Sequence, residues 1–185
     1  MTWLTDIKTL KLPALKSGYH DSAADGLCAM EMVAFMERLP HSDFPECTWE
    51  GFSRFTQQIN DAMNTDQRQK ILLPILPLLV GTNEPEHAQA RAEFLALAVI
   101  NRILPIVFED HWPDHARAMR DAGSLPEAKA AANAAANAAW AAEADRPVFE
   151  EAVSILVEAI GVGRTTGPTG FTKPHRVKKL AELAS

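Results

Sequence analysis

The chain has 185 residues, 47% apolar and 23% charged, the make-up of an ordinary globular domain with one core. Its formal net charge of -6 is unevenly spread. Residues 164–185 carry five basic groups (Arg164, Lys173, Arg176, Lys178, Lys179) against Glu182, so they are +4 and residues 1–163 are -10. That balance excludes a nucleic-acid footprint on the acidic body, which would need clustered lysine and arginine.

The start, MTWLTDIKTLK, lacks the apolar stretch and cleavage site of a signal peptide. The longest apolar run, residues 71–80, carries two prolines and is too short to cross a bilayer, so no membrane contact is expected. A soluble cytoplasmic protein is the expectation, with its two cysteines as reduced thiols.

Taken in order, residues 1–17 alternate weakly around Pro13 and read as an extended arm, because proline interrupts both helix and central strand. Asp25-Gly26 leads into a helix over 27–39, ended by Pro40. Its apolar groups cover most of the circumference, which marks a buried helix, yet Glu31 falls between Leu27 and Phe35 on the wheel. A carboxylate there must find partners or take up a proton. The loop 41–47 follows, with Thr48 as an expected cap for a helix over 49–63 that places Phe52, Phe55, Ile59 and Met63 on one face. Asn64-Thr65-Asp66 breaks that helix and caps the next segment, where Pro74 and Pro77 predict a kink or a stop.

The longest helix is expected over 85–109, with a core-like stretch FLALAVINRILPIVF and a kink at Pro105. Residues 110–123 read as a loop and a short polar helix. The alanine-rich run 125–146 predicts a helix of about five turns, with Trp140 as its one large anchor. A last helix over 148–160 presents Phe149, Val153, Leu156 and Ile160. The rest, 164–185, reads as a flexible basic tail. No strand pattern, βαβ unit or phosphate loop occurs. The expected fold is therefore all-α: one helical bundle of about six helices over 1–163, a short N-terminal arm and a C-terminal tail.

Chemistry-bearing residues concentrate between Gly18 and Cys47. His20, Cys28, His41 and Cys47 make a possible Cys2His2 set, with Glu31 and Asp43 as oxygen donors, a mixture that zinc accepts. The spacing H-x7-C-x12-H-x5-C lacks the close ligand pairs of structural zinc sites. Cys28 alone is a second candidate, because a first-turn thiol gains thiolate character from the helix dipole and His20 or His41 supplies a base. The competing interpretation is structural: Gly18 and Gly26 make turns, His20 and Glu31 satisfy backbone groups, and the cysteines are small buried hydrophobes. His111 and His115 are at i, i+4 but have Pro113 between them, and His87 is expected to be solvated.

Gly18-x-His20, Gly26-x-Cys28-x-Met30-Glu31 and His41-Ser42-Asp43-x-Pro45-x-Cys47 together resemble a group of uncharacterised bacterial and phage proteins. That group's pattern is close to G-x-H…G-x-C-x-M-E…P-H-S-D-H-P-x-C. Ile59-Asn60-Asp61, the stretch LPLLVGT at 76–82 and the alanine-rich region are also similar. The resemblance implies a bacterial or phage source and a specialised first third; it brings no activity with it. Phe44 stands where the pattern has a histidine, which weakens any metal site that histidine would serve.

Two functions of different classes remain. One is a helical protein-binding or regulatory module working through its acidic surface, with the His/Cys/Glu cluster serving stability. The other is a metal or catalytic site acting on a small molecule or nucleic acid, so enzymatic status stays open. Protein is the expected partner, and only the basic tail has the charge for nucleic acid.

Overall fold

The computed structural model describes residues 14–138 and 148–164, and among them every regular element is helical. The described residues form two compact units, one of residues 14–88 with 163 and 164, the other Gln89–Val162. Of the expected basic tail only Arg164 is described; its guanidinium donates to Glu84 at 2.8 Å and to the Gly81 carbonyl at 2.5 Å. Residues 1–13 of the expected arm and residues 139–147, with Trp140, lie outside the described residues. No described helix is long and apolar enough to cross a membrane.

In the first unit, α1 (Ala29–Glu37) is buried on nearly every side, with Met30, Met32 and Val33 fully enclosed. It ends two residues before Pro40, at Arg38, whose left-handed backbone (φ 59°) returns its N–H to the carbonyls of Ala34 and Phe35. The helix α2 (Glu50–Ala62) packs on it and buries Phe52 and Ile59, its apolar stripe matched to the 3.6-residue period. Trp49, not Thr48, occupies its N-cap position, and no side chain caps it. Thr48 turns inward and donates to the Leu79 carbonyl at 3.4 Å. Asn64 caps the short α3 (Thr65–Gln67) in a reciprocal box, with its side chain on the Gln67 N–H and the Gln67 side chain on its own.

The proline-rich segment stays helical but leaves the α form. A π turn, Arg68–Leu72, precedes Pro74, and the chain then tightens into a 3-10 helix, Leu73–Leu79, buried throughout. A proline ring collides with the carbonyl four residues back, and widening the preceding turn moves that carbonyl aside. The same device recurs in the second unit. There α4 (Ala88–Ala98) runs into a π turn, Val99–Ile103, immediately ahead of Pro105 in α5 (Leu104–Phe108). In both places the N–H before the proline reaches a carbonyl five residues back, Leu73 to Arg68 and Leu104 to Val99. Burial in this long helix is narrower than its composition suggests: Arg91, Leu95, Ala98 and Pro105 are buried, whereas Ile100, Ile103 and Val107 are half-buried. The π turn adds a residue and shifts the apolar phase, so the stripe does not continue along one side.

The helices α6 (Pro113–Asp121) and α7 (Leu125–Ala138) pack on each other, and α8 (Val148–Gly161) packs on the second π turn. Arg102 fastens this last contact. It grips Glu158 with two parallel bonds of 2.7 and 2.9 Å and also donates to Glu151. The Arg102 hydrogen bonds hold the Glu158 carboxyl below its ordinary pKa.

Candidate functional site

The residues from Gly18 to His41 converge on one buried carboxylate. Glu31 is third in α1 and fully enclosed. Its Oε2 accepts from the Cys28 N–H at 2.7 Å while the Glu31 N–H lies 3.5 Å from Cys28 Sγ. This is a capping box with a thiol in the place usually held by serine or threonine. The spacing of cap and acid, three residues, is what brings the carboxylate back over the helix start.

His20 supplies two further bonds. Its backbone N–H donates to Oε1 at 2.7 Å and its Nδ1 lies 2.9 Å from Oε2. Facing a carboxylate, that nitrogen must carry the proton. His41 completes the group: its Nε2 donates to the His20 carbonyl at 2.6 Å and stands 3.6 Å from Glu31 Oε1. Both carboxylate oxygens are therefore occupied by donors.

Glycines make the approach possible. Gly18 (φ 77°) and Gly26 (φ 137°) hold backbone conformations that side chains rarely adopt, and they bracket the loop that carries His20 over the helix start. The Gly18 N–H is anchored on Asp61 at 2.7 Å, and Lys16 N–H on the Leu27 carbonyl at 3.0 Å.

Burial pushes the Glu31 pKa up, but hydrogen bonds from Cys28 N–H, His20 N–H and the His20 ring outweigh it, and the carboxyl settles below its ordinary value. Cys28 goes the other way. Burial, reinforced by the neighbouring Glu31 charge, raises its thiol to about 12. The helix-dipole effect expected to favour a thiolate is thus overridden, and Cys28 stays protonated near neutral pH.

The six sequence-selected residues do not all meet. His20, Cys28, Glu31 and His41 come together. Asp43 sits across a small cavity of about 50 Å³ that Cys28, Tyr19, Gln57 and Asp61 also line, and its carbonyl accepts from Gln57 at 2.6 Å. Cys47 belongs elsewhere: its sulfur lies 3.8 Å from the Thr48 hydroxyl, and its carbonyl takes the N–H groups of Gly81 and Thr82. Among the described residues no group of three or more His, Cys, Asp or Glu is placed to hold a metal ion. The donors that do converge are spent on one another.

One residue of the neighbourhood had no signal in the sequence. Arg68 is buried, and its guanidinium donates to the carbonyls of Leu15 (3.1 Å), Asn60 (2.8 Å) and Met63. It joins the end of α2 to the arm that leads into Gly18. Backbone acceptors leave no mark in a sequence, so only an arginine ahead of an apolar run was visible.

Replacing Cys28 tests the capping role directly. Cys28→Ser offers a better acceptor in the same place, and its melting temperature should equal or exceed that of the wild type. Cys28→Ala should lose roughly 1 kcal/mol in thermal or urea unfolding. An alanine variant as stable as wild type beside a weakened serine variant would rule out the cap.

Comparison of the chain with protein-family models, curated proteins and solved structures finds no match.

Proposed function

We propose that the chain is a small helical protein-binding or regulatory module whose His/Cys/Glu cluster stabilises the first third of the fold. A bacterial or phage source accords with the sequence resemblance, and the cytoplasm is the compartment this reading assigns. The observation that carries this reading is the placement of exposed aromatic rings. Among the described residues only Tyr19 (62% exposed), Phe44 (41%) and Val157 are large apolar side chains left in solvent.

Tyr19 directly precedes His20, which is bonded to Glu31 through both backbone and ring. Phe44 follows Asp43 in the loop that His41 ties to the His20 carbonyl. The two loops meet at the small cavity shared by Tyr19 and Asp43. Arg54 lies over the Phe44 ring, 5.2 Å from its centroid. Aromatic rings and arginine are enriched where proteins meet, the rings because they offer a large contact area with little side-chain entropy to lose. A cluster that satisfies its own donors supports the reading of a rigid frame.

Full-length chain, wild type and Tyr19→Ser/Phe44→Ser, should be used as bait under crosslinking. Loss of the wild-type partners by the double variant, at an unchanged melting temperature, is the expected result. Identical partners for both baits would overturn the role of these rings.

A further inference from the structure

Beside Phe44 an open cleft of about 480 Å³ is lined by Phe44, Glu46, Glu50, Ser53, Arg54 and Asn83, among others. That volume lies in the range of ligand-binding clefts. Three observations bear on what would enter it. Ser53, in the second turn of α2, is fully buried, and its hydroxyl has no hydrogen-bond partner, an uncommon condition for an enclosed polar atom. Glu46 makes no ion pair among the described residues, while its own carbonyl is held by the Asn83 side chain at 2.9 Å, which fixes its position at the rim. Glu50 and Arg54, by contrast, already neutralise each other at 2.5 Å. The lining therefore carries one uncompensated negative charge, an unsatisfied hydroxyl and an aromatic ring, within a body of net charge -10 for residues 1–163.

We infer that this cleft receives a basic side chain, arginine or lysine, from a partner polypeptide. Resting on the protein-binding role above, the assignment names the chemistry of the partner. Glu46 would pair with the cationic head group, the Ser53 hydroxyl would accept one of its N–H bonds, and the Phe44 edge of the cleft would cover the aliphatic stem. An anionic ligand is disfavoured because Glu46 faces it and Arg54, the one cation among the described lining residues, is paired with Glu50.

The test is a titration of isotope-labelled full-length protein with Ac-Gly-Arg-Gly-NH2, Ac-Gly-Lys-Gly-NH2 and the neutral citrulline analogue of the first, read from amide resonances. Saturable shifts at Ser53, Arg54 and Asn83 are expected with a basic peptide, at least roughly tenfold tighter than with citrulline. Glu46→Gln should remove that preference at unchanged melting temperature, and Ser53→Ala should weaken binding by about threefold. Equal binding of the citrulline peptide, or no saturable shift, would overturn the assignment even if the Tyr19→Ser/Phe44→Ser bait loses its partners. Binding that emerges only when Lys173, Arg176, Lys178 and Lys179 are changed to glutamine would give the cleft to the chain's own basic segment and overturn the partner assignment.

Discussion

Glu31→Ala should cost about 3–5 kcal/mol, the range for removing one member of a buried, hydrogen-bonded charge group. The loss is large because three donors are stranded together: the N–H groups of His20 and Cys28 and the His20 ring. Each enclosed donor left without a partner costs about 1–3 kcal/mol, and they share one site, so the terms overlap and do not sum. Against a total stability of about 5–15 kcal/mol, the variant would stand near the edge of folding. Glu31→Gln should cost less, about 2–3 kcal/mol, since its oxygen keeps part of the network while its amide turns a donor toward donors. Urea unfolding at neutral pH measures both. A Glu31→Ala variant within 1 kcal/mol of wild type would show that the cluster does not hold the fold.

The same carboxylate sets the direction of the pH response. Its pKa in the folded chain is depressed below the ordinary value of 4.5, so the unfolded chain binds the proton more readily. Stability from Glu31 is fully present above that ordinary value and is lost as pH falls through the depressed one. The wild type should therefore lose stability on acidification below about 4.5, and Glu31→Gln should show a shallower decline over the same window.

Arg68→Met should be the second large effect, about 2–4 kcal/mol, because the apolar stem is kept while three buried carbonyls lose their donor. Two of these, on Asn60 and Met63, lie at the C-terminal end of α2, where carbonyls have no partner within the helix and the dipole favours a cation. The third, on Leu15, holds the arm. Arg68→Lys should recover less than half of the loss, since a single ammonium cannot reproduce the fork that reaches three directions. Matching urea midpoints for the lysine variant and wild type would contradict this geometry.

Much of the fold was legible because its signals are local. Proline positions, the Asn64 cap, the 3.6-residue stripe of α2 and the fully apolar wheel of α1 depend on neighbours a few residues away. Glu31 was legible as a problem, an acid in an apolar helix, and half of its solution, the box with Cys28, is local as well. The other half was not. His20 reaches Glu31 only because two glycines fold the loop back. Asp43 and Cys47 fall away because the chain turns after His41, a direction that residue spacing does not encode. Arg68 was invisible as a clamp for the same reason: its acceptors are backbone atoms, two of them on segments eight and fifty-three residues distant.

The paired π turns carry a consequence for how this chain can change over generations. A π turn is an α-helix holding one surplus residue, so each marks a place where the reading frame of the helix has been offset by about 100°. The proline that follows makes the offset useful, since it needs the room. Proline and surplus residue are thus coupled: losing either alone leaves a clash or a misphased helix, whereas losing both restores an ordinary one. Relatives of this chain should then differ at 68–74 and 99–105 by a missing residue and a missing proline together, and alignments that place no gap there will pair the wrong faces.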